Sequence, residues 1–139
     1  MTGRLPESTL WLSVATVVAT VATAGSLWFS LGVGLTPCDL CWYQRILMYP
    51  LVVVLGVAAV EGRAAVLRTA LPLVAFGGSL AAYHSYLQAT MTECAIGGPC
   101  AAVQWQSPAL GLTIPNLSLV AFGLLAVLLV GMWGRVGRR

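Results

Sequence analysis

Charge is what this chain has least of. Of its 139 residues only 8% are charged, and lysine is missing altogether, so all seven basic residues are arginines. A soluble domain carries about 25% charged residues. A chain with 59% hydrophobic residues cannot cover its own surface in water. The scarcity also argues against a nucleic-acid partner, because phosphate recognition needs clustered cations with room around them. Carboxylates are fewer still. Glu7, Asp39, Glu61 and Glu93 are too scattered for a paired-carboxylate site. No run resembles a phosphate-binding loop, a Ser-His-Asp set or a zinc-protease helix. What is left is an integral membrane protein with a single membrane domain, residues 1–139.

The uncharged stretches are long enough to cross a bilayer core, which takes about 20 helical residues. They predict an all-α, up-down-up-down bundle of four transmembrane helices, with spans at about 10–31, 41–60, 69–90 and 114–133. Outer loops fall at 32–40 and 91–113. Trp11 and Trp28 sit near the ends of the first span, where amphipathic rings favour the interface. Its Ala15, Ala19 and Ala22, with Thr16, Thr20 and Thr23, form small-residue rows that let another helix approach. A cleaved signal peptide is the rival reading of this segment, with Ala22-Thr23-Ala24 as the cleavage site. The apolar character continues through Trp28 and Phe29, which suits a retained span. Gly77 and Gly78 mark the third helix for close packing, and Pro115 opens the fourth where a missing N–H costs little.

Arginine placement orients the bundle. Arg4, Arg63, Arg68, Arg135, Arg138 and Arg139 fall on one side, and only Arg45 on the other. Both termini are therefore expected in the cytoplasm, with the cysteine-bearing loops on the outer face of the cell membrane. In that compartment disulfides form and persist.

Four cysteines then carry the chemistry. Cys38 and Cys41 stand in a Cys-x-x-Cys at the head of the second helix, with Arg45 four residues on. Thr36 to Asp39 reads as a capping box with Pro37 at the first helical position. At i and i+3 the two sulfurs share a face and can bridge. A helix amino terminus carries about half a positive charge. With the Arg45 cation, it favours thiolate at the pair, the condition for thiol exchange. A structural disulfide and a zinc site are the bland alternatives. The Cys94-x5-Cys100 spacing is loose for zinc, and no resident metal is expected. Gly97-Gly98-Pro99 permits a tight turn between Cys94 and Cys100, so that pair can close on itself or open toward Cys38. Arg45 reads either as an interfacial snorkelling residue or as a site residue. His84, at similar depth in the third helix, reads either as a helix-to-helix hydrogen-bonder or as part of the same site. Residues Ala101 to Leu112, apolar with Trp105, are expected to lie on the membrane surface.

The run Pro37-Cys38-Asp39-Leu40-Cys41-Trp42-Tyr43-Gln44-Arg45, followed by Met48-Tyr49-Pro50, resembles the signature of the disulfide bond formation protein B (DsbB) family. The likeness extends over the whole chain, with a second outer cysteine pair and a His84-x-x-Leu87-Gln88 pattern. It implies a quinone-dependent thiol oxidase that reoxidises a DsbA-like thioredoxin-fold partner and passes electrons to the membrane quinone pool, of ubiquinone or menaquinone type. It also implies redox-active disulfides Cys38–Cys41 and Cys94–Cys100. By the same likeness Cys94 takes the partner's thiolate, Cys100 exchanges with Cys38, and Cys41 contacts the quinone. Arg45 would bind the quinone, and His84 would line its pocket. A partner poised near about −120 mV can be regenerated only by a more oxidising acceptor, which agrees with quinone. The five-residue spacing of the second pair resembles the short-loop members. Two other readings stand beside it. One is a vitamin K epoxide reductase-like protein, expected to carry its Cys-x-x-Cys on the fourth helix rather than the second. The other is a non-enzymatic four-cysteine metal-binding protein.

Overall fold

Four long helices account for most of the chain in the structure, a computed structural model that describes residues 6–92 and 100–138. They are α1 (Glu7–Leu27), α2 (Asp39–Glu61), α3 (Leu67–Thr90) and α4 (Ile114–Val136). Each belongs to a stretch long and apolar enough to span a membrane: Glu7–Gly32, Asp39–Glu61, Ala64–Thr90 and Ile114–Val136. The protein is a multi-pass membrane protein. Its outward surface says the same, since Val60 is 90% exposed and Val127 70%. Large apolar side chains on the outside are what a lipid solvent calls for.

The helices close into a ring in which α1 packs on α2 and α4, and α3 on α2 and α4. Neighbours run antiparallel. The end of α2 at Gly62 meets Thr9 near the start of α1, and Trp11 meets Gly131 near the end of α4. The predicted alternation is therefore borne out. Arg135 pairs with Glu7 across the α1–α4 seam, and Arg63 with Glu61, at the end of the bundle opposite Cys38 and Cys41.

Small residues set the spacing. Ala15 and Ala19 are fully buried in the main core with Leu51, Leu55, Phe122, Leu125 and Leu129. Gly77 is required where it stands, because a Cβ there would sit 2.1 Å from the Phe122 ring. The absence of a side chain on α3 lets an aromatic of α4 lie directly against its backbone.

Two local features depart from the sequence reading, and both shape the cysteine end. The first span extends to Gly32 through a π-helical turn, Trp28–Gly32. Such turns absorb one extra residue and re-aim the side chains after it. The second departure is a correction. Helix α2 starts at Asp39 with Cys38 as its N-cap residue, in extended conformation and without a side-chain cap, so the expected Thr36 capping box does not form. A residue before proline is steered out of the helical region, and the Thr36 carbonyl instead accepts a hydrogen bond from Gln104 Nε2 at 3.0 Å.

Candidate active site

The head of α2 carries one sulfur at its N-cap and the other a turn inside. Cys38 donates to the Cys41 sulfur, with the two Sγ atoms 3.1 Å apart. They make an unbridged dithiol. The hydrogen bond to Cys41, followed by burial, pushes the Cys38 thiol up to about 12.

The two sulfurs have different surroundings. Cys38 belongs to a small buried cluster with Leu40, Leu87 and Cys100, and its Sγ lies 3.7 Å from His84 Nε2. The His84 ring is almost completely buried. Its Nε2 donates to the main-chain carbonyl of Cys100 at 3.0 Å, while Nδ1 accepts from Gln44 Nε2 at 3.1 Å. A carbonyl only accepts, so this pairing selects the Nε2–H tautomer. Cys41 packs against the edge of that cluster and, unlike Cys38, also lines a cavity of about 480 Å³ bounded by α1, α2 and α4.

That cavity is apolar along most of its length, with Val17, Val21, Leu124 and Met48 among its walls. Polar groups collect only at the cysteine end. Arg45 Nη2 donates to the Ser26 carbonyl at 3.0 Å and to the Ser30 hydroxyl. Its guanidinium also lies over the Trp42 ring, 5.3 Å from the centroid. Tyr49 donates to Ser26 Oγ at 3.2 Å. The π turn supplies Phe29 and Ser30 to the wall. Guanidinium has five N–H donors, so the bonds made by Nη2 leave the rest of the fork for a polar head inside the cavity.

The loop between α3 and α4 roofs this end. Gln88 Nε2 donates to the Ala102 carbonyl at 3.2 Å, and Gln104 reaches Thr36 while lining the cavity. Trp105 packs on Phe29 with ring centroids 4.8 Å apart. Residues 106–113 turn back on themselves, closed by a bridge between Gln106 and Thr113 and a 2.8 Å bond from Ser107 N to Leu112 O.

Of the predicted site residues, Cys38, Cys41, Arg45, His84 and Cys100 converge on this end. Cys94, and with it the Cys94–Cys100 pair, lies outside the described residues. His84 is placed differently from the pocket-lining role the resemblance implied. It stands behind Cys38, tied to Cys100, and is not part of the cavity wall. Sequence reasoning missed Gln44, Ser26, Ser30, Tyr49 and Gln104. Ser26 and Ser30 lie one turn apart, but Ser13, Thr16, Thr20 and Thr23 share the same span, so the sequence alone does not single them out.

A ring of four membrane helices holds a dithiol, one sulfur buried and the other half-buried, between a loop and an intramembrane cavity, an arrangement suited to a membrane thiol-redox protein. The comparisons with known proteins make the class specific. Residues 7–132 match the family described as disulfide bond formation protein DsbB. The chain is 39% identical over 126 residues to disulfide bond formation protein C of Bacillus subtilis, an alignment covering 85% of this chain and 88% of the relative. It is 41% identical over 132 residues to a probable disulfide formation protein of Deinococcus radiodurans, covering 85% of each. A probable disulfide formation protein of Coxiella burnetii is 36% identical over 126 residues, covering 86% of this chain and 84% of the relative. No solved structure matches the chain. The chain belongs to the DsbB family, whose members are disulfide-generating oxidoreductases.

Proposed function

We propose that the protein is a thiol:quinone oxidoreductase. It regenerates the disulfide of an extracytoplasmic, DsbA-like thioredoxin-fold oxidase and delivers the electrons to a membrane quinone. The observation that carries this reading is the division of the dithiol. Cys38 packs with Cys100 of the outer loop, whereas Cys41 lines the cavity beside Arg45.

The thiol steps balance among the chain's own sulfurs. A partner thiolate attacks Cys94 of the Cys94–Cys100 disulfide, forming a partner–Cys94 bond and releasing the Cys100 thiolate. Cys100 attacks Cys38 of the Cys38–Cys41 disulfide, and Cys41 leaves as thiolate. The partner's second thiolate displaces Cys94, which closes again on Cys100 and returns Cys38 to the thiol pool. The partner has lost two electrons and two protons, and the electrons now rest on Cys38 and Cys41. The attacking and leaving sulfurs suit these positions, because Cys100 and Cys38 share one buried cluster and Cys41 leaves toward a cation.

A quinone fits the residues present: a polar, cationic head end at Arg45, Ser30 and Tyr49, and an apolar groove between α1 and α4 for an isoprenoid tail. When bound, it supplies a two-electron acceptor soluble in the bilayer. Arg45 binds and orients its head and holds negative charge at that end. The arginine-rich end faces the cytoplasm and the cysteine end the outside. Purification in mild detergent, followed by extraction and mass identification of bound quinone, tests the reading. Stoichiometric quinone supports it, and thiol oxidation that proceeds in quinone-depleted protein with no added quinone overturns it.

A further inference from the structure

Three donor atoms at the head of α2 meet a second chemical description. Cys38 Sγ, Cys41 Sγ and His84 Nε2 all lie within 4.8 Å of one another. A tetrahedral zinc ion, with Zn–S of about 2.3 Å and Zn–N of about 2.0 Å, sets sulfurs about 3.8 Å apart and sulfur from nitrogen about 3.5 Å. The Cys38–His84 edge, at 3.7 Å, already has that length. The sulfur–sulfur edge, at 3.1 Å, needs to open by about 0.7 Å. The third edge, from Cys41 to His84, lies within 4.8 Å and has to close by up to about 1.3 Å, which a turn of the half-buried Cys41 side chain supplies.

From this we infer that the reduced protein is a soft-metal trap. Cys38, Cys41 and His84 bind a thiophilic divalent ion of the zinc or cadmium kind, and the oxidised protein does not.

The surroundings support the donors. Leu40 and Leu87 wall the cluster off from water, so few solvent ligands compete. Gln44 stands behind Nδ1 at 3.1 Å, where outer partners of ligating histidines sit. Binding moves the ring proton from Nε2 to Nδ1, and the Gln44 amide turns its oxygen to accept it. The fourth position falls toward Cys100, whose carbonyl is 3.0 Å from Nε2.

The stoichiometry is one ion taken up and two thiol protons released. No electron moves. Because a Cys38–Cys41 disulfide has no thiolate to offer, ion binding and oxidation exclude each other. Each tenfold rise in ion concentration above its dissociation constant stabilises the dithiol tenfold, which raises the midpoint of that couple by about 30 mV. Outer-face zinc would thereby stall the enzyme in its reduced form without touching the quinone cavity.

The test uses full-length protein in detergent, carrying Cys94→Ala and Cys100→Ala so that the second pair adds no thiolate while the main-chain carbonyl at position 100 is kept. After reduction with a phosphine and desalting, cadmium chloride is titrated in while thiolate-to-metal absorbance is followed against a competing chelator. One ion per chain is expected in the reduced protein and none after oxidation. His84→Gln keeps an N–H for the Cys100 carbonyl but removes the nitrogen ligand, and should weaken binding at least tenfold. Unchanged affinity in His84→Gln, or equal binding by the oxidised protein, overturns the inference. Because no quinone enters the measurement, its failure leaves the quinone reading standing, and a quinone-free protein that still binds cadmium leaves this one standing.

Discussion

The His84 ring donates to the carbonyl of Cys100 across 3.0 Å, joining α3 to the loop before α4 through a bond buried from water. Cys100 is thereby held against the N-cap of α2, in one cluster with Cys38. His84→Ala breaks this tie, a loss of about 1 kcal/mol. The expected result is a lower yield of a trapped Cys38–Cys100 disulfide in a Cys41→Ser background, read on non-reducing gels after proteolysis. His84→Gln should restore much of that yield.

Cys41 lines the cavity and Cys38 does not. Cys41→Ser should abolish thiol-dependent quinone reduction while leaving the outer pair able to exchange with a partner. Quinone reduction at the wild-type rate in this variant would sink the mechanism.

In the proposed order the partner is released when its own second thiolate displaces Cys94. A partner that lacks this second cysteine should therefore attack the intact outer pair once and accumulate as a mixed disulfide on Cys94. Mass mapping that found the adduct on Cys38 instead would reverse the proposed order of sulfurs.

Arg45 is braced by Ser26 and Ser30 so that its charge stays at the cavity's polar end. A hydrogen bond to a charged group is worth about 1.5–3 kcal/mol. Arg45→Ala should therefore raise the KM for quinone about tenfold to a hundredfold, with a smaller effect on the dithiol's own exchange. Ser30→Ala, which loosens the brace but keeps the charge, should do less.

Alkylation should distinguish the two thiols by pH. The hydrogen bond to Cys41, with burial, holds the Cys38 thiol up to about 12. A raised value means less thiolate at any given pH, so Cys38 should resist iodoacetamide near neutral pH. Its rate should climb about tenfold per pH unit well below that value. Cys41→Ala removes the first cause and should speed alkylation of Cys38, as peptide mass mapping can show.

The spans were plain in the sequence because composition alone dictates them, and the arginine count distinguished the two ends of the bundle. The Cys38–Cys41 pair and Arg45 were legible through spacing on one helix. Contacts between helices were not. Gln44 reads as one more polar residue in the motif until α3 brings His84 to 3.1 Å from it. The Thr36 cap followed a good local rule, but a long-range bond from Gln104 claimed the carbonyl of that segment. The π turn at Trp28–Gly32 left no mark in hydropathy, although it carries Ser30 to Arg45.

The cavity walls at Val17, Val21, Val120 and Leu124 are themselves exposed on the lipid side of the α1–α4 seam, while Gln104 and Trp105 cover the outer end. The proposed quinone would therefore arrive sideways, already dissolved in the bilayer. The concentration that governs occupancy is then a mole fraction among lipids, not a molarity in water. Half-saturation measured in micelles should scale with the amount of detergent, since each added micelle dilutes the ligand without diluting the protein's own surroundings.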